Sequence, residues 1–250
     1  MDLTGRKILI TGGSGEIGIS IARHFSEHNA NVAITYCHNI ETAERLKSET
    51  AKNRGIVSIH PLDLTVLDGL TDTIEEINFA SGPFDTFIHC STGPLEQKDF
   101  LEFKWEEIQK DIDIIVKGFY ELVKALVPSM IEKKRGNIIS ILTTDVLGSP
   151  QGKNIGYLTA KYGLMGLSKG LAKECGIHNI RVNMISPGLT DTKLVNYLPK
   201  RQKDVVAHQT PLKRIAQPDD IAQTALFLAS DMSSHLSGVN IPVCGGNVML

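Results

Sequence analysis

The chain has 250 residues, 42% apolar and 22% charged, the balance of an ordinary globule, which excludes a disordered tail or a fibrous repeat. Twenty-six basic against twenty-eight acidic side chains leave a net charge of −2, without the basic footprint of a nucleic-acid-binding domain. The four cysteines (Cys37, Cys90, Cys175, Cys244) lie far apart, with no CxxC pair and no clustered histidines, which argues against a metal site or disulfide framework and for a reducing compartment.

The apolar stretch behind Met1–Lys7 is five residues long, too short for a signal-peptide core. No window approaches the roughly 18 apolar residues of a membrane span. A cytoplasmic location is the expectation. Short β-branched runs then alternate with helical patterns along the whole chain. Residues 7–11 (KILIT) read as a strand closed by glycines, and 17–28 as a helix with Ile17, Ile21, Ala22 and Phe25 on one face. A strand follows at 31–36 and a helix at 41–52. Residues 56–60 and 86–90 are strands, with a helix at 66–79 between them. Residues 105–134 form one long helix or two, interrupted near Pro128. The remaining elements are a strand at 137–142, a helix at 155–175, a strand at 180–186, a helix at 219–229 and a last strand at 240–243. The strands are continuously apolar, as expected when helices cover both faces of a sheet. Repeated strand–helix–strand units predict a doubly wound parallel α/β sheet, and no linker divides it, so residues 1–250 are read as a single domain.

Between the first strand and the first helix stands Thr11-Gly12-Gly13-Ser14-Gly15-Glu16-Ile17-Gly18. A phosphate-binding turn needs glycine for a tight bend, for close backbone approach to a pyrophosphate and for packing of helix on strand. Free N–H groups of the helix start then face the anion. The spacing Gly13-x-Gly15-x-x-Gly18 in this context points to a dinucleotide. The second strand ends Thr35-Tyr36-Cys37-His38-Asn39, with neither the acid that binds the ribose 2′-hydroxyl of NAD nor the arginine that suits NADP. Without an acid nothing repels a 2′-phosphate, so NADP is the favoured form and NAD the alternative.

Tyr157 and Lys161 lie one helical turn apart on one face, where an ammonium can stabilise a phenolate and so make the tyrosine a proton donor near neutrality. Tyr120 and Lys124 have the same spacing. Context separates the pairs. Tyr157 follows a strand that ends in the hydroxyls of Thr143 and Thr144, and ligands of open α/β sheets bind at the carboxyl ends of strands. Tyr120 sits inside an apolar helix and reads as a core or interface residue. His89 reads as a hydrogen-bonded structural histidine and Cys90 as a small buried filler.

Taken together the chain resembles the short-chain dehydrogenase/reductase family over essentially its full length. The resemblance rests on the Thr11-Gly12 loop, Asp63 in Leu62-Asp63-Leu64-Thr65, the hydroxyl-bearing strand end, Tyr157-x-x-x-Lys161, Asn183-Met184-Ile185-Ser186-Pro187-Gly188, and the tail Leu236-Ser237-Gly238-Val239 with Gly245-Gly246. Pro211–Ala216 and Pro218–Ala222 make it most similar to the 3-oxoacyl-carrier-protein reductase branch. The resemblance implies a Rossmann-type fold and reduction of a carbonyl by NAD(P)H, on a 3-oxoacyl or polyketide-like substrate, with an acyl carrier protein as candidate partner. Tyr157 would donate the proton, while Lys161 would hold the nicotinamide ribose and lower the tyrosine pKa. Thr144, thirteen residues before the tyrosine, would polarise the carbonyl. The 136–157 stretch is one residue longer than in common members, so Thr143 remains the alternative. The glycine loop (Gly12, Ser14, Gly15, Ile17, Gly18), Asp63 and Leu64 at the adenine, Cys90 and Ser91, and Pro187, Gly188, Thr190 and Thr192 at the nicotinamide would complete the cofactor site. Residues 190–213 would form the substrate lid, where Lys193, Lys200, Arg201 and Lys203 could attract an anionic thioester or acidic carrier. A homotetramer built from the helices at 105–134 and 155–175 is implied as well, although Ile108, Ile112, Ile115, Phe119 and Leu122 can equally be core.

Three departures stand out. The spacing Gly12-x-x-Gly15-x-x-Gly18 is that of the extended family members, and Glu16 stands where short members carry a glycine, so its carboxylate must point away from the phosphates. His89-Cys90-Ser91-Thr92 replaces Asn-Asn-Ala-Gly. The helix asparagine of the family's proton relay aligns with Ile115, which cannot position a relay water.

Overall fold

Seven short apolar runs pair in parallel in one sheet: β1 (Lys7–Thr11), β2 (Asn31–Tyr36), β3 (Val57–Pro61), β4 (Thr86–His89), β5 (Gly136–Ile141), β6 (Ile180–Pro187) and β7 (Asn240–Val243), in the order β3-β2-β1-β4-β5-β6-β7. The computed structural model describes residues 1–66 and 69–249, the side chains of Phe79 and Ala80 excepted. Successive residues of a strand point to opposite faces, and here both faces are buried. In β1, Ile8 and Ile10 enter one apolar layer and Leu9 the other. The first layer is completed by α1 (Glu16–Glu27), α2 (Ile40–Thr50) and α8 (Pro218–Ala229), through Ile21, Phe25, Leu46, Ile221 and Leu228. The second is completed by α3 (Leu70–Ser81), α4 (Trp105–Ile112), α5 (Gly118–Glu132) and α6 (Ile155–Cys175), through Ile74, Ile115, Phe119, Leu122 and Leu164. A further helix, α7 (Lys200–Gln209), lies in the lid segment. Ile115, Phe119 and Leu122 therefore belong to the core.

The strand order reverses at β1, which has β2 on one side and β4 on the other. Chains leaving β1 and β4 part to opposite sides of the sheet, and a crevice opens at their carboxyl ends. Cys90 N–H still donates to the Thr11 carbonyl at 3.1 Å, so the crevice begins immediately beyond that bond.

Two expected boundaries are corrected. The break in the long helix is not at Pro128, which lies inside α5, but at a wide π turn, Asp113–Lys117, that joins α4 to α5. Pro128 is exposed, so the carbonyl left without its donor faces water rather than core. The helix expected from Val66 begins at Leu70, behind Gly69 with φ +78°, a conformation that a helix interior does not accommodate. Leu67 and Asp68, within that expected range, lie outside the described residues. Among the described residues no helix is long and apolar enough to cross a membrane.

Phe119 is fully buried and stacks on Phe87 with ring centroids 5.9 Å apart, so it clamps α5 to β4. Replacing it by alanine is expected to cost about 3–5 kcal/mol of stability in denaturant unfolding. Leu101→Ala, at a side chain 91% exposed, should change it by less than about 0.5 kcal/mol.

Candidate active site

The glycine loop turns on Gly12, whose φ is +66°. A Cβ there would meet Ser91 N at 2.8 Å and the Cys90 carbonyl at 2.9 Å, so only glycine lets β1 turn away against the chain leaving β4. Gly13 N–H donates to the Thr35 carbonyl at 2.9 Å and Gly15 N–H to the Gly12 carbonyl at 3.0 Å, which pins the loop between β2 and itself. Gly15 caps α1 in an extended conformation with no side-chain capping bond. The first N–H groups of α1 therefore point outward unclaimed, as an anion site requires. Gly18 packs beneath the loop, where a Cβ would lie 2.5 Å from the Gly12 carbonyl oxygen, and Ile17 packs on the apolar layer.

Beyond the loop lies a cleft of about 820 Å³. Gly12, Ser14, Gly15, Asp63, Leu64, Cys90 and Ser91 all line it, as do Cys37 and His38 at the end of β2. Thr92 lines it too, and its buried Oγ1 has no hydrogen-bond partner among the described residues. An orphaned hydroxyl, a glycine cradle and an uncapped helix start in one crevice suit a dinucleotide, which offers both hydroxyls and phosphates. At the far end Asp63 accepts from Thr65 Oγ1 at 2.7 Å and Thr65 N at 2.8 Å. These two bonds hold its carboxyl below the ordinary range, and Cys37 adds to the effect. Burial and that carboxylate push the Cys37 thiol up.

Tyr157 and Lys161 come from the first two turns of α6. Lys161 is 3% exposed and its Nζ donates to the Ile141 carbonyl at the end of β5 at 2.7 Å, with Nζ 5.5 Å from the Tyr157 ring centre. Burial pushes the Lys161 ammonium down to about 8. Of the two candidate hydroxyls, Thr143 is the one that bears on the Tyr157 phenol, favouring its ionised form, and its Oγ1 accepts from Asp145 N at 3.3 Å. Thr144 is buried and starts the turn that leaves β5. The decoy pair has nearly the same internal geometry, with Lys124 Nζ 5.8 Å from the Tyr120 ring, but Tyr120 is 46% exposed on the outer face of α5. Burial, not spacing, separates the two.

The expected lowering of the phenol pKa is corrected. Burial raises the Tyr157 pKa well above the ordinary phenol range and the Asp145 carboxylate adds to this, outweighing the Thr143 hydroxyl, which lowers it. The Lys161 charge is spent partly on the Ile141 carbonyl and is itself depressed by burial. The resting phenol is protonated at neutral pH.

His89 is fully buried, with Nδ1 2.9 Å from Thr11 Oγ1 and Nε2 3.2 Å from the Ile115 carbonyl in the π turn. Burial first and Lys161 second push it down to about 3, so it is a neutral bridge between β1, β4 and the long helix. Cys90 is pushed up to about 11 by burial and stays a thiol. It lines the cleft and lies within electrostatic reach of both Tyr157 and Lys161, and so connects the dinucleotide crevice to the acid–base pair.

After β6 the chain passes Pro187 and Gly188, where a Cβ would come within 2.9 Å of Cys244 Cβ. Thr190 Oγ1 donates to the Gly188 carbonyl at 2.9 Å and Thr192 Oγ1 to the Thr190 carbonyl at 3.5 Å. Glu16 does not turn back on the loop: its carboxylate accepts the backbone N–H of Lys193.

A family model described as enoyl-(acyl carrier protein) reductase matches residues 13–247. The chain is 33% identical over 245 residues to the 3-oxoacyl-[acyl-carrier-protein] reductase of Chlamydia muridarum, covering 98% of each, and 30% identical over 250 residues to that of Thermotoga maritima, covering all of both. The chain belongs to the short-chain dehydrogenase/reductase family. Among solved structures, a 3-oxoacyl-[acyl-carrier protein] reductase with bound NAD from Brucella melitensis superposes with a TM-score of 0.89 at 27% identity, covering 100% of this chain and 93% of that one. The protein is an NAD(P)-dependent oxidoreductase.

Sequence reasoning did not single out Asp111 or Asp145. Thr92 stood there only as the end of the departure His89–Thr92, and the burial of its hydroxyl is not a sequence property.

Two outcomes follow for this site. Gly12→Ala should weaken dinucleotide binding by at least about tenfold in a fluorescence titration, because the added carbon drives the loop off Ser91. Folded His89 stays neutral down to about pH 3, whereas the unfolded ring takes up its proton near 6.5. Its contribution is thus intact above pH 6.5 and lost as the pH falls towards 3. His89→Asn should flatten that part of the stability–pH curve measured by denaturant unfolding.

Proposed function

We propose that the protein reduces the carbonyl of a 3-oxoacyl or polyketide-like thioester to a hydroxyl, with Tyr157 as proton donor. The observation that carries the reading is the Tyr157 phenol, within influence of Thr143 and one turn from Lys161, which is buried and donates to the Ile141 carbonyl at the end of β5. The relatives named as 3-oxoacyl-[acyl-carrier-protein] reductases support the substrate class.

When bound, the nicotinamide supplies the hydride. Gly12, Ser14, Gly15, Ile17 and Gly18 would hold the pyrophosphate with backbone N–H groups, Asp63 and Leu64 the adenine, Cys90 and Ser91 the ribose side, and Pro187, Gly188, Thr190 and Thr192 the nicotinamide. Thr143 Oγ1 donates to the substrate oxygen and polarises the carbonyl. Tyr157, protonated at rest, gives its proton to that oxygen as negative charge develops. Lys161 opposes the phenolate charge with its own. The low dielectric that raises the phenol pKa also strengthens this attraction once the phenolate forms. In this assignment the polarising hydroxyl is Thr143 rather than Thr144.

NADPH is the favoured form, since β2 ends in Cys37-His38-Asn39 with no acid in sequence. A second reading, NADH, is favoured by the ionised Asp63, which lines the same cleft as Cys37 and His38 at the end of β2. Lys193, Lys200 and Arg201, exposed on the lid, fit an acidic carrier protein as thioester donor, whereas Lys203 is engaged with Asp191 at 3.2 Å. Trp105, Tyr120 and Tyr162 are exposed on the long helices and fit a homotetramer interface.

With acetoacetyl-coenzyme A as substrate, Tyr157→Phe should lower turnover by at least about a hundredfold while leaving cofactor affinity within a few-fold. Tyr120→Phe should leave both unchanged. Thr143→Val should cost on the order of 10² in kcat and Thr144→Val much less. Wild-type turnover in Tyr157→Phe would overturn the reading. Separate titrations with NADPH and NADH decide the cofactor, and a tighter fit for NADH would assign the preference to Asp63.

A further inference from the structure

One wall of the cleft belongs to neither the glycine loop nor the strand ends. It is built by α4 and the start of the π turn, through Gln109, Asp113 and Ile114. Ile114 is buried in the same apolar layer as Leu64, which follows Asp63 in the chain leaving β3. Leu64 also packs one helical turn beyond Ile114, where a Cβ at Gly118 would stand 3.2 Å from its Cδ1. Asp63, Leu64 and this wall therefore meet at one end of the cleft.

The polar groups on the wall differ in their freedom. Glu106 and Lys110 are exposed to solvent. Gln109 and Asp113 are half-buried and bonded to one another, with Gln109 Nε2 donating to Asp113 Oδ1 at 3.0 Å. An ionised carboxylate offers only acceptors, so this bond decides which way the glutamine amide is turned. Its nitrogen faces Asp113, and the amide keeps the acceptor Oε1 and one N–H for a ligand. Both bonds that Thr65 gives Asp63 fall on Oδ1, which leaves Oδ2 as a second acceptor. A glutamine and an aspartate four residues apart on a helix can serve as local support alone. Here both line a cleft, beside two apolar side chains, Leu64 and Ile114, that suit the face of a flat base.

We propose that Gln109, its amide fixed by Asp113, is a specificity-determining residue of the cofactor site that reads the amino edge of adenine. The proposal rests on the base lying at Asp63 and Leu64. The exocyclic amine of adenine donates and the ring nitrogen beside it accepts. A glutamine amide answers that pattern with its oxygen and its N–H. Hypoxanthine carries a carbonyl oxygen in place of the amine. That oxygen would meet the acceptors Gln109 Oε1 and Asp63 Oδ2, and a site built for a donor would be left unpaired. Asp113 acts through Gln109 and is a positioning residue: without it the amide can turn either way.

The test measures dissociation constants through the fluorescence of Trp105, the single tryptophan of the chain, which lines the same cleft. The ligands are the tighter-binding of NADPH and NADH, and the hypoxanthine counterpart of that dinucleotide. The wild-type chain should prefer the adenine form by at least about tenfold. Gln109→Met keeps the length of the side chain and removes its amide. It should cut the preference by about fivefold, through weaker binding of the adenine form. Asp113→Ala should cut it by a smaller factor in the same direction, and an unchanged preference there overturns the positioning step. A full preference retained in Gln109→Met overturns the role of Gln109. Equal binding of the two forms to the wild-type chain overturns the proposal together with the placement of adenine on which it rests. The reductase reading stands or falls separately, with the turnover of Tyr157→Phe.

Discussion

Lys161 carries a full charge at a place almost closed to water, and much of the site is arranged around that fact. Its Nζ is tied to the last carbonyl but one before Thr143, so α6 is registered on β5 and the phenol one turn earlier is brought to the Thr143 hydroxyl. Its charge is felt by His89, Cys90 and Asp111. A histidine beside a buried ammonium is kept neutral, and a neutral ring can donate and accept at once. That lets His89 span Thr11 and the π turn, and so hold the glycine-loop strand and the long helix to one another.

The same low dielectric has opposite consequences for the two members of the pair. It penalises the phenolate and the ammonium alike, so at rest the tyrosine is firmly protonated and the lysine less firmly charged. A reductase needs a protonated donor before the reaction and a stabilised anion after it. In the proposed reaction burial would secure the first, and an ammonium that is still charged the second. The lysine would then act on the phenolate that forms more than on the phenol at rest.

The strand–helix alternation was legible because strands buried on both faces are continuously apolar, and the glycine loop because its backbone tolerates little else. Gly12 at φ +66° against Ser91 is a constraint that a sequence pattern can carry. Other features were not legible, each for a physical reason. Tyr120 and Tyr157 precede their lysines by the same four residues, and what separates them is burial, a property of the packed sheet. Counting back from Tyr157 leaves Thr143 and Thr144 as alternatives, because one extra residue in the chain leaving β5 shifts the count. The π turn at Asp113–Lys117 has no composition signal, whereas Pro128 has a strong one that solvent exposure makes harmless.

Glu16 shows how a departure in sequence can be absorbed without losing the anion site. A carboxylate at the first position of α1 would repel a pyrophosphate if it pointed into the crevice, but helix starts also favour nearby negative charge. The chain resolves the conflict by aiming Glu16 across to the backbone N–H of Lys193, the first residue of the turn at Lys193–Val195. The acid then complements the dipole of α1 from the side and fastens the start of the lid to the helix that carries the glycine loop. A glycine at this position could do neither. The outward N–H groups of α1 remain free for phosphate oxygens, so the substitution changes how the lid is held and leaves the cradle intact.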